Sequence, residues 1–250
     1  MDNRLEKLKM IGNEKILTDF NLKVYDQLDD FASEVLRPEK LIDYVSARRE
    51  YLFDPEESVK KYFTEDDLEG EKINTFGDFY YHYLVKYSHG YLYKFGVKGF
   101  TDGLKNLVKE EGIDLEDLDI NWENIKKKED FYEESLIDIL YSILSYELNK
   151  KGYEIFGINM GYESVIYYVV TQDVYDRINK DSELFRIFDL SLLEGIYDEI
   201  YEVEEDINSE LVEVGDFLEK KVDGYHTLKV DKNYNTLIEN VDEDKLKIIL

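Results

Sequence analysis

GYEIFGINMGYESVIYYVVT, residues 152–171, is the stretch on which the fold turns. Val165, Ile166, Tyr167, Tyr168, Val169 and Val170 form an unbroken run of β-branched and aromatic residues. Such a run suits a strand covered on both faces, where no solvent side demands alternation with polar residues. Before it, Tyr153 to Met160 alternates loosely. Asn159, Met160, Gly161 and Tyr162 supply the turn, with Gly161 the residue suited to positive φ. The spacing predicts a hairpin of Tyr153–Met160 and Ser164–Val170, its second strand central.

Helices flank this hairpin. Asp130 and Glu133 have the spacing of a capping box, and Tyr132, Leu136, Ile139, Leu140, Ile143 and Leu144 recur at three- and four-residue intervals. Lys150 and Lys151 suit the negative end of a helix dipole, and Gly152 suits the left-handed residue that stops a helix. After the hairpin, Thr171 is placed to cap a helix carrying Val174, Tyr175 and Ile178.

Nearer the N-terminus the signals are helical. Ile16, Phe20, Val24, Leu28, Phe31 and Val35 fall on one stripe, predicting a helix over 14–36. Pro38 permits a new start, and Leu41, Ile42, Val45 and Tyr51 carry an apolar face beside Arg48 and Arg49. Asp54, Pro55, Glu56 and Glu57 combine a cap, a proline at the first helical position and an acid at the third. Thr64 to Asp67 and Thr75 to Asp78 repeat a weaker form of that opening. Thr75 to Tyr93 is dense in aromatic residues and includes His82 and His89, seven apart. On a continuous helix those histidines share a face two turns apart, which is long for one metal ion. An aromatic packing layer is the reading for this segment. Gly99 and Gly112 bracket a short helix containing Leu104, Leu107 and Val108, and Asp114 to Glu123 is an acidic connector with the single tryptophan, Trp122. Its acids lack the glycine and the terminal glutamate of a calcium loop.

The chain has 250 residues, a formal charge of −27 and no cysteine. That length can bury a sizeable core, and the absence of cysteine excludes disulfides and thiolate sites. The charge makes nucleic acid and anionic membrane poor partners and a basic protein a suitable one. Residues 1–20 hold no apolar run of signal-peptide or membrane-spanning length, so a cytoplasmic location is the expectation.

Charge is most concentrated after the hairpin. From Glu183 to Glu219 there are thirteen acids and one base, Arg186. Ser191 and Glu194 match a capping box, and Leu193, Ile196, Tyr197, Ile200, Val203 and Ile207 follow helical spacing. The spacing predicts an acidic helix with Asp198, Glu202, Glu205 and Asp206 on its solvent face. Like charges one turn apart cost a helix roughly 0.2–0.5 kcal/mol per pair. A docking surface formed by Asp198, Glu199, Tyr201, Glu202, Glu205 and Asp206 accounts for keeping them, and solvated surface is the plainer reading. Tyr225 to Val230 and Lys245 to Leu250 read as strands, with His226 a sheet residue.

In its acidic faces interleaved with tyrosine, as in Tyr197, Asp198, Glu199, Tyr201 and Glu202, the chain resembles bacterial immunity proteins and nucleic-acid mimics. Leu148 to Ile178, with Lys-Gly-Tyr leading into a strand, a glycine turn, a tyrosine-rich strand and a short helix, is similar to a pattern in uncharacterised bacterial α+β proteins. The first resemblance implies an inhibitor that blocks a basic, nucleic-acid-processing toxin or defence effector. The second transfers no catalytic residue.

No phosphate loop, dinucleotide fingerprint, serine elbow or close histidine pair is present in the sequence. The expectation is an α+β protein, predominantly helical, with a small mainly antiparallel sheet containing a central hairpin. A mostly helical part, 1–127, precedes an α+β part, 128–250, that holds the hairpin and the acidic helix. The expected function is inhibition of a basic protein, without metal, cofactor or catalytic residue. An enzyme with a site assembled from distant segments, and a structural or regulatory subunit, which could associate with itself, are the alternatives.

Overall fold

The computed structural model describes residues 22–68, 70–94, 98–159, 164–180, 191–193, 197, 199–207, 209–228, 235–239 and 241–250. The first part of the helix expected over 14–36, the turn at Gly161, the capping residue Glu194 and Asp198 lie outside them.

The protein is of the α+β class, with two antiparallel sheets. In chain order come α1 (Leu22–Val35), α2 (Pro38–Phe53), α3 (Pro55–Tyr62), α4 (Glu65–Leu68), α5 (Phe76–Tyr87), β1 (Tyr91–Lys94) and α6 (Phe100–Glu110). They are followed by α7 (Trp122–Asn149), β2 (Tyr153–Asn159), β3 (Ser164–Thr171), α8 (Gln172–Lys180) and β4 (Ser191–Leu193). The C-terminal region adds β5 (Ile200–Val203), β6 (Phe217–Lys221), β7 (Gly224–Thr227), β8 (Leu237–Ile238) and β9 (Leu246–Ile248). One sheet has the order β1-β3-β2-β4 and the other β8-β7-β6-β5-β9. The hairpin strands are therefore neighbours at the middle of the first sheet. The second sheet is larger than the two C-terminal strands expected from the sequence.

The chain forms two compact units that alternate along the sequence. The first takes the described residues up to Leu92 with Ile158–Tyr168 and Asp173–Leu192; the second takes Tyr93–Gly157, Val169–Gln172 and Leu193–Leu250. Residues 127 and 128, where the sequence suggested a division, both lie inside α7.

In the first unit, aromatic side chains on α5 build the core. Thr75 accepts from the Asp78 amide while the Asp78 carboxylate accepts from the Thr75 amide, the reciprocal box that opens this helix. Phe76, Phe79, Tyr80, Tyr83 and Leu84 are all but fully buried. Tyr51 of α2 stacks on Phe79 with ring centroids 4.5 Å apart, and the Tyr80 hydroxyl donates to the Leu28 carbonyl of α1. Tyr81 meets Ser164 through their hydroxyls at 2.7 Å, and Phe31 meets Tyr168 edge to face. Gly90 is required by close approach, since a Cβ there would stand 2.6 Å from both Ile166 and Tyr168. Within α2 the buried Arg48 pairs with Asp29 of α1 at 2.6 Å.

Residues 164–170 of β3 are buried without interruption and Thr171 is exposed, as the hydrophobic run requires of a strand covered on both faces.

In the second unit, α7 begins at Trp122, not Asp130. Asn121 supplies the cap by accepting from the Asn124 amide, so the helix starts eight residues before the expected box. Its apolar stripe is the expected one, with Tyr132, Leu136, Ile139, Leu140, Ile143 and Leu144 all at 1% exposure or less. It ends before Lys150 and Lys151, with Gly152 at φ 80°. Among the described residues, the acidic helix expected from the Ser191 box through Ile207 is not formed, and Ser191–Leu193 is itself the strand β4. Ile200–Val203 is a strand between β6 and β9, with Tyr201 opposite Leu218 on one side and Ile248 on the other. Tertiary pairing has overridden a helical spacing that coexists with an Ile-Tyr-Glu-Val run of mostly β-favouring residues.

Candidate functional site

The second unit carries a polar cleft of about 760 Å³. One wall is the segment entering α7 and its first turns, with Asp119, Asn121, Asn124 and Lys127; the opposite wall is the end of β5, the residues after it and Lys247 of β9. Strand geometry sets which side chains reach it. Successive residues of β5 point to opposite faces. Val203 packs with Leu218, Tyr225 and Ile238 on one face, and Tyr201 joins them. Glu202 therefore turns to the other face, towards α7.

There Asn124 Nδ2 donates to Glu202 Oε1 at 2.8 Å and to the Gly215 carbonyl at 2.9 Å. Gly215 has φ 86°, and a Cβ on it would stand 2.7 Å from Asn124 Oδ1, so glycine is needed on both counts. The floor is braced by a buried ion pair, Lys128 to Asp216 Oδ1 at 2.6 Å. The other Asp216 oxygen accepts from the Glu213 amide, and the Phe217 amide donates to the Tyr132 hydroxyl.

Burial raises the pKa of Glu202, a shift opposed by the positive charge of Lys247 and the Asn124 hydrogen bond. Lys247 lies opposite Glu202 in the ladder, but its ammonium donates to Asp119 Oδ1 at 2.9 Å, and that bond raises its own pKa.

The acids beyond the strand are held by backbone. Amides of Glu204 and Glu205 donate to the Lys245 carbonyl, and Lys245 Nζ donates to the Asp206 carbonyl. Glu204, Glu205 and Asp206 are exposed. Among the described residues the carboxylates of Glu204 and Glu205 have neither hydrogen bond nor ion pair.

The residues expected to share one exposed helical face are thus separated. Glu199 is half-buried and accepts from the Tyr201 hydroxyl, which with burial pushes Tyr201 up to about 12. Glu202 turns inward; Glu205 and Asp206 remain at the surface. Asp119, Asn124, Lys127, Glu204 and Lys247 complete the cleft and were not among the residues singled out. The Asn121–Asn124 spacing, a cap signal ahead of α7, was the available clue to the first group. Nothing local linked it to residues 78 positions later.

The histidines are held separately. His82 is buried 3.4 Å from Glu71, His89 lies past the end of α5, and His226 of β7 faces Asp223 at 2.9 Å and the Asn235 carbonyl. The shared helical face considered for His82 and His89 does not exist. Among the described residues, no three histidine or carboxylate side chains are grouped as metal ligands, and no helix is long and apolar enough to cross a membrane.

No family model, curated protein or solved structure matches the chain.

Proposed function

We propose that this protein binds and blocks a basic protein through the acidic edge of the cleft, in the manner of an immunity protein or an inhibitor of a defence effector. The observation that carries this reading is the pairing of charge with rigidity at Glu204, Glu205 and Asp206. Their backbone is tied to Lys245, so docking costs little ordering entropy. The nearby lysines are engaged within the chain: Lys245 on the Asp206 carbonyl, Lys247 on Asp119, and Lys220 over the rings of Tyr201 and Tyr225. The surface left to a partner is therefore carboxylate-rich, with Lys127 at the cleft as the exception. Glu202 offers a second, deeper contact to a lysine or arginine side chain entering the cleft. An enzyme with a phosphate-binding groove presents complementary charge, and steering of this kind acts mainly on association rate.

The test is binding to, and inhibition of, a panel of basic ribonucleases and endonucleases. The expected result is inhibition of at least one, with association slowed by salt and slowed about tenfold by joint Glu204→Lys and Glu205→Lys substitution. A partner that associates equally fast with the double variant, at low and high salt, would overturn the reading.

A further inference from the structure

Among the described residues, no strand pairs with the outer edge of β9. In the register Tyr201 to Ile248, Glu202 to Lys247 and Val203 to Leu246, hydrogen-bonded pairs alternate with pairs that are not bonded. The Ile249 amide donates to the Ile200 carbonyl at 2.8 Å and the Glu204 amide to the Lys245 carbonyl at 2.9 Å. Lys245, Lys247 and Ile249 therefore direct their backbone groups to β5, whereas Leu246 and Ile248 direct theirs away from it. β9 is the last strand of its sheet; the Leu246 amide turns back to the Glu243 carbonyl, while among the described residues the Leu246 carbonyl and both backbone groups of Ile248 have no backbone partner. Ile248 is 59% exposed and Leu246 half-buried, so the edge also offers apolar surface at alternate positions.

Charge around this edge is uneven. At the end where β9 begins stand Glu204 and Glu205, with exposed Asp242 and Asp244 on the preceding turn. The two lysines there are held by Asp206 and Asp119. Sheets left open at an edge invite another strand, and a second copy of this chain would bring like charge to it. A basic segment would bring opposite charge.

We propose that the partner is held as an extended strand added antiparallel to β9, with two apolar residues at alternate positions beside Leu246 and Ile248. Lysine or arginine follows them, at the end lying against Glu204, Glu205, Asp242 and Asp244. Backbone bonds to the Leu246 and Ile248 edge then supply affinity, and the flanking charges set direction. This rests on the acidic-docking reading and adds to it the partner's conformation and sequence pattern.

The probe is the capped peptide TVTVKRK, with a scrambled peptide of the same composition as control, titrated into the full chain under amide NMR. Binding of the probe over the scramble is expected, with hydrogen exchange at the Ile248 amide slowed about tenfold by its new bond. Ile248→Pro deletes an outward N–H at an edge, where proline is tolerated, and should weaken the peptide about tenfold. Peptide binding that leaves the Ile248 amide unprotected overturns strand addition, as does equal affinity for the scramble. The exchange measurement on the unaltered chain decides the matter even if the proline variant does not fold. Salt-sensitive binding of a basic protein with no protection at β9 would also overturn strand addition, while leaving the acidic-docking reading standing. Absence of binding by peptide and basic proteins alike removes both.

Discussion

The two units hold themselves together by different means. In the first, a helix studded with aromatic rings, α5, meets α2 through stacked and edge-to-face contacts and α1 through the Tyr80 hydroxyl on the Leu28 carbonyl, and most polar tips find backbone or hydroxyl partners. In the second, the five-stranded sheet is fastened to α7 at discrete polar points: Lys128 to Asp216, Asn124 to Glu202 and Gly215, and Tyr132 to Phe217. Apolar packing tolerates exchange of one large ring for another, whereas a buried charge tolerates only its own partner. Position along a face suffices for the first kind of contact. The second demands a particular atom in a particular place, and it is the second kind that shapes the cleft.

The largest effect should come from β3, in the middle of the four-stranded sheet. Val169→Asp puts an unpaired carboxylate at a fully buried site of β3, and the chain should fail to fold. Soluble protein with an unchanged unfolding transition would remove β3 from the core.

Asp216→Ala should follow, costing about 3–5 kcal/mol by leaving the Lys128 ammonium buried and unpaired. Replacing both at once, Lys128→Met with Asp216→Leu, should recover most of that loss. Urea denaturation of the two variants measures the difference, and equal losses for single and double variants would show that the pair is not an isolated peg.

Gly215→Ala is the next step down. A non-glycine residue at φ 86° with Asn124 Oδ1 in its path should cost about 1–3 kcal/mol. The amide signals of Asn124 and Glu202 should shift with it, and a loss of stability without those shifts would separate the glycine from the cleft.

The smallest effect belongs to the first unit's surface. Lys86, hydrogen-bonded to Asp67 at 2.7 Å, holds that carboxyl down at about 2, helped by the Thr64 amide. Because the folded pKa is depressed, the contribution is present above the ordinary carboxylate range and is lost as pH falls towards about 2. Asp67→Asn should therefore lower stability slightly at neutral pH and leave the difference absent in strong acid. A wild-type and variant pair with parallel pH profiles throughout would show that solvent screening cancels the bond.

Local pattern and tertiary choice are separable at particular residues. The stripe from Tyr132 to Leu144, the Thr75–Asp78 box, the Asp54 cap and the uninterrupted β3 run were all legible, because each arises from interactions within a few residues of one another. Ile200–Val203 was not. Its residues satisfy a helical stripe as well as a strand, and the pairing that settles the matter comes from Phe217–Glu219 and Leu246–Ile248, far along the chain.

The same division applies to the candidate site. Sequence by itself determined the large negative charge, the acid-rich run and the burial of β3, since composition and short-range periodicity need no folded partner. Only the tertiary structure decided that Glu202 turns inward to Asn124 while Glu204 and Glu205 stay exposed, and that β9 ends its sheet. A strand's inward face and its free edge are fixed by which distant segments pair with it, and no local spacing records that choice.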